Sequence, residues 1–146
     1  MSTFYDYFSA PDDRLAIADF DRRDLEVRPL SPLSVKGIDP YVVLGKGQSL
    51  LTGLPYDEVV RLPRFCQLLT EEEADRLLVT VADELRDAVA TATPDRFRRT
   101  AESWSCIEEF APGGHPEGLF GFLTQLAALA VPARAEGYHL YCEFTV

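Results

Sequence analysis

The chain has 146 residues, 47% of them hydrophobic, and a formal net charge of −10. That length fits one domain, residues 1–146, able to bury roughly 70% of the surface its unfolded chain exposes, with no staple required. The charge argues against nucleic acid and anionic membrane as partners, because both are held by clustered positive charge. Arg96, Arg98 and Arg99 are the one dense basic cluster, and Asp95 and Glu102 beside them make an ordinary solvated helix face.

Thr3 to Phe8 is short and aromatic, which suits a strand covered on both faces. Pro11 opens a first helix with Leu15, Ile17, Ala18 and Phe20 on its apolar side, ended by the charged stretch Asp21 to Asp24. Leu25, Val27 and Leu30 alternate with polar residues as a brief edge strand, limited by Pro29 and Pro32. Asp39 and Pro40 form an N-cap and first-turn pair, and Gly53 is a natural stop, so a helix is expected over 40–52. Gly45 and Gly47 each cost that helix on the order of 1 kcal/mol relative to alanine, so some neighbour must approach the backbone closely there. The GKG lacks the spacing of a phosphate-binding loop.

Pro55 to Leu62 reads as a short helix or turn, and Phe65 to Leu69 as a strand or extended lead-in. Thr70 and Glu73 have capping-box spacing, and apolar residues from Leu77 to Ala92 recur at helical intervals, so the pattern predicts a long helix over 71–92. The competing reading is a strand over Leu77 to Val81, since LLVTV is rich in strand formers. Pro94 to about Trp104 is a further helix, and 111–116 a loop. Glu117 to Val131 is apolar almost all round, the mark of a central helix or one that meets a partner, and Pro132 is expected to kink or end it. Tyr138, Leu140, Cys142, Phe144 and Val146 alternate strictly with His139, Tyr141, Glu143 and Thr145, a clear strand. The order points to an α+β domain whose small mixed or antiparallel sheet includes both terminal strands and is covered by several helices.

The helix ending in LLTG at Leu50 to Gly53, the LLTEEEA run at Leu68 to Ala74, the helix after TPDRF, and the closing helix, glycine and strand together resemble the YfbM-like small bacterial proteins of unknown function. The resemblance spans nearly the whole chain and implies a single small domain; none of its motifs is catalytic. Members of that group tend to carry tryptophan and histidine before LLTG, whereas here the stretch is LGKGQS, Leu44 to Ser49. No role for those side chains transfers.

Cys66, Cys106 and Cys142 are odd in number and widely spaced, which fits free thiols in a reducing cytoplasm and offers no paired zinc ligands. The N-terminus lacks a basic n-region, and no long uncharged apolar window stands out as a membrane span, so a cytoplasmic location is expected. Lysine only at 36 and 46 among many arginines and alanines fits a GC-rich bacterial genome. No metal or cofactor is expected.

His115, beside Glu108 and Glu109, is the one conceivable acid/base or ligand set, against the plainer reading of solvated carboxylates and a loop histidine. Tyr5, Tyr7 and Trp104 either fill the core or form a binding surface. The functional expectation is a small acidic module that binds a basic protein partner, as a regulator or neutralising immunity-type protein would. The alternative is a small enzyme or ligand-binding protein with a site near Glu108, Glu109 and His115. A monomer is favoured over a homodimer through the 117–131 helix.

Overall fold

The computed structural model describes residues 3–23 and 33–146. A four-stranded antiparallel sheet is built from β1 (Phe4–Ala10), β2 (Leu33–Lys36), β3 (Arg76–Val81) and β4 (His139–Thr145), in the order β2-β1-β4-β3. The helices are α1 (Asp13–Arg23), α2 (Val43–Thr52), α3 (Tyr56–Val59), α4 (Asp83–Thr91), α5 (Pro94–Trp104) and α6 (Pro116–Glu136), with a 3₁₀ turn at Glu108–Phe110. The domain is α+β, and the two terminal strands are the central pair, Tyr7 opposite Cys142 and Ser9 opposite Leu140.

The pleat divides the sheet into two faces. Tyr7, Val79, Val81, Leu140 and Cys142 join the main core with Leu85, Trp104, Phe122, Leu123 and Leu126 of the helices. The opposite face carries Phe8, Ala10, Leu78 and Tyr141, covered by Ala16 and Phe20 of α1. Asp6 and Glu143 also sit on that second face, directly opposite one another and buried. Arg76 meets Glu143 at 2.8 Å, donates to the Phe20 carbonyl at 3.2 Å and stacks 4.1 Å from the Phe20 ring.

Local chemistry explains most of the elements. The Asp39 carboxylate accepts from the amides of Tyr41, Val42 and Val43 at 2.7–3.0 Å, so it closes the start of α2 as expected even though the first regular turn begins at Val43. Thr93 caps α5 through the Arg96 amide, with Pro94 in the first turn. Gly53 and Gly137 end α2 and α6 with φ of 80° and 71°.

The long helix expected over 71–92 is absent; the region holds β3 and the shorter α4. From Leu78 to Ala82 every residue is buried, because both faces of β3 are covered. An unbroken apolar run of that kind satisfies a helical period as readily as a strand's, and the β-branched Val79, Thr80 and Val81 were the better guide. Thr70 caps no helix: its hydroxyl oxygen accepts the Leu78 amide at 3.3 Å, and Glu71–Ala74 forms a turn. Leu68 bridges to Val79 and covers the outer edge of β3. Strand β2 lies just beyond the expected edge strand at Leu25 to Leu30, which falls outside the described residues.

Pro132 does not end α6, which runs to Glu136. Ala128, whose carbonyl loses its partner at Pro132, and Pro132 itself are both on the exposed side, where water can take up the freed acceptor. Leu119, Phe122, Leu123, Leu126, Ala130 and Ala133 form the buried side of α6. Its opposite side is open, with Val131 52% exposed and a shallow groove of about 440 Å³ beside Ala90, Val131, Arg134 and Ala135. By length and composition alone α6 could cross a membrane, the one such helix among the described residues.

Candidate functional site

The structure separates the residues singled out from the sequence. Tyr7 and Trp104 are wholly buried: the Tyr7 hydroxyl donates to the Ile38 carbonyl at 2.6 Å, the Trp104 indole donates to the Val43 carbonyl at 2.9 Å, and both rings pack edge-on against Phe122. Their polar ends are satisfied inside the core, which is how a buried Tyr or Trp is accommodated. Tyr5 is half-buried and packs on Phe144 at 5.2 Å. His115 is exposed at the start of α6 and, among the described residues, shares no hydrogen bond or ion pair with Glu108 or Glu109.

Glu108 and Glu109 instead converge on Lys46 of α2, whose ammonium lies 2.6 Å from Glu109 and 3.6 Å from Glu108. The Glu109 hydrogen bond raises the Lys46 ammonium above its ordinary value, and the same bond lowers the Glu109 carboxyl. Glu108 remains 84% exposed.

Tyr56 joins these charges to an aromatic surface. Its phenol donates to the Tyr41 carbonyl at 3.2 Å and lies within electrostatic reach of Lys46 and Glu109; burial, then Tyr41, raises its pKa. Tyr41 is 49% exposed, its ring edge-on to Phe65 at 5.3 Å. The close approach required by Gly45 is made here, since a Cβ at that position would stand 2.8 Å from the Tyr56 ring and 3.1 Å from Phe65. Asp57 and Glu58 of α3 are exposed. Tyr41 is thus half-exposed and joined through Tyr56 to the Lys46 and Glu109 charges.

A second polar cluster was not legible from the chain alone. At one end of the sheet, where β1 runs out into α1, β3 into α4 and β4 begins, Asp13 accepts two hydrogen bonds from Arg64 at 2.9 and 3.4 Å and one from the Tyr141 phenol at 2.7 Å. Asp83 meets His139 Nδ1 at 2.7 Å, Arg86 at 3.4 Å and Arg64 at 3.9 Å. Arg86 continues to Asp87 at 2.9 Å and to the Tyr138 carbonyl at 2.7 Å. His139 projects opposite Cys142, as the alternation implied, but its partner Asp83 was assigned to the middle of a helix. With β3 read as a strand, Asp13 and Asp83 become the strand-to-helix turns at the same sheet end as His139, and that is the signal that would have found them.

Arg64 holds the Asp13 carboxyl below the usual carboxylate range against an opposing desolvation, with Tyr141 assisting; burial and then Asp13 push the Tyr141 phenol well up. Asp13 therefore contributes stability that is present above about pH 4 and lost as pH falls through its folded value. Tyr141 contributes stability that is present below about pH 10 and lost as pH rises through its folded value. Melting temperatures across pH are expected to show a shallower acid limb in Asp13→Asn and a shallower alkaline limb in Tyr141→Phe.

No family model, curated protein or solved structure matches this chain. In the resemblance to YfbM-like proteins, the LLTEEEA run here leads into a strand and not a helix.

Proposed function

We propose that the protein is an acidic interaction module that works as a monomer in the cytoplasm and binds a basic protein partner across the face of Tyr41, Tyr56, Glu108 and Glu109, in the manner of a regulator or a neutralising immunity-type protein. The observation that carries this reading is Tyr41, half-exposed and packed on Phe65, with the Tyr56 phenol joining it to the Lys46, Glu109 and Glu108 charges. Tyrosines supply large interface area with few rotatable bonds to order, and the neighbouring charge steers an oppositely charged partner and sets the salt dependence of binding. The acid/base alternative has less support. Lys46 holds Glu109 ionised, and His115 is bonded to neither glutamate.

Capture from an extract of the native host tests the reading. The wild-type protein is expected to retain a basic protein that is released by raising salt, and a Tyr41→Ser/Glu108→Lys variant with unchanged circular dichroism is expected to lose at least tenfold of it. Equal retention by the two proteins, or a retained partner that is acidic, would contradict it.

A further inference from the structure

We propose that Tyr56–Cys66, α3 and the turn after it, is a strap that opens from the second face of the sheet, with Arg64 as its latch. Three observations support this. The strap packs in a small cluster separate from the main core, where Val59 and Phe65 meet Ala82 at the β3–α4 junction with Leu54, Val60 and Leu62 around them, and only Cys66 also belongs to the main core. Its closed form is strained: Arg64 and Cys66 have φ of 65° and 45° without being glycine. Its hold on the sheet is concentrated at one end. The Thr80 hydroxyl donates to the Arg64 carbonyl, the Gln67 amide donates to the Thr80 oxygen at 2.9 Å, and the Arg64 guanidinium makes the two bonds to Asp13 while lying 5.5 Å from the centre of the Tyr141 ring.

The other end is tied to α2 and the turn before it, through Ser49 to the Leu54 carbonyl at 2.7 Å just ahead of the strap and Tyr56 to the Tyr41 carbonyl, so the strap has a hinge side and a latch side. Opening lifts the guanidinium away from Asp13, Tyr141 and Asp83. It bares two carboxylates, a phenol and the imidazole that Asp83 orients, a set of groups that the closed strap keeps occupied by its own arginine.

The three thiols report on this motion. Cys66 lies in the strap, Cys142 is buried in the main core, and Cys106 is exposed. Burial pushes the Cys66 thiol up to about 12, so the closed strap disfavours the thiolate that an alkylating reagent attacks, and an open strap relieves that burial. Iodoacetamide labelling of the native full chain at pH 8, followed cysteine by cysteine by mass spectrometry, is expected to modify Cys106 first, Cys66 far more slowly and Cys142 last. In Arg64→Ala and Asp13→Asn the Cys66 rate should rise at least tenfold while the Cys142 rate stays unchanged. Amide exchange at Phe65 and Gln67 should quicken in the same variants without a change at Val79 or Leu140. If Arg64→Ala fails to fold, Asp13→Asn alone decides the comparison. A Cys66 rate that does not move, or that rises only in step with Cys142, would show that Cys66 is reached only by global unfolding and would overturn the latch.

Discussion

Leu126→Asp is expected to leave the chain unfolded at 25 °C. Leu126 is wholly inaccessible on the buried side of α6, within the main core. A carboxylate there loses its hydration with no cation to receive it, and the cost of several kcal/mol is comparable to the 5–15 kcal/mol that holds a typical domain together. Phe120→Asp, on the same helix, should behave differently. Phe120 is half-buried at the rim, and the Arg98 guanidinium lies 5.1 Å from its ring centre, close enough to meet the new charge. That variant should remain folded with reduced stability. Far-ultraviolet circular dichroism and urea titration distinguish the two, and a cooperative folded transition in Leu126→Asp would mean that α6 is not seated as described.

The second large effect is at Gly47. An alanine Cβ there would stand 2.6 Å from Cε2 and 2.7 Å from Cζ2 of Trp104. The indole has no room to yield, since it is fully buried, bonded to the Val43 carbonyl and packed against Phe122. Overpacking of this kind costs about 1–3 kcal/mol, and the helix advantage of alanine over glycine returns about 1 kcal/mol. At so short a contact the net loss should be about 2 kcal/mol, or about 6 °C in melting temperature for a domain of this size. Gly121→Ala is the control. Nothing lies within 4 Å of its Cβ position, so the same exchange in α6 should be neutral or stabilising by up to about 1 kcal/mol. A Gly47→Ala variant as stable as the wild type would remove the account of why α2 carries glycine.

These two sites show what kind of information the sequence holds. Gly47 was readable because a glycine inside a helix is costly and asks for a neighbour, although nothing in the chain names Trp104 as that neighbour. Asp39 and Gly53 were readable because capping is local, settled within a few residues. β3 reads as a helix because burial on both faces erases the alternation that marks a strand, and what covers those faces, α1 on one side and α6 on the other, is far away in sequence. The site was legible only in part. Glu108 and Glu109 were singled out, but Lys46, the partner of Glu109 from 63 residues earlier, and Tyr41 were not. The Asp13–Arg64–Asp83–His139 cluster depends on which strand ends lie together. Once β3 replaces the helix, the antiparallel order of β1, β4 and β3 places those residues side by side.

The measurement that bears most directly on the proposed role is site-specific photo-crosslinking in the native host. A photoreactive residue at position 41, on the tyrosine face, is compared with one at position 131, on the open side of α6. A discrete adduct whose second chain is basic, weakened by Glu108→Lys, is expected from position 41, and none from position 131. An adduct from position 131 alone, or one from position 41 that is indifferent to charge reversal at Glu108, would contradict it.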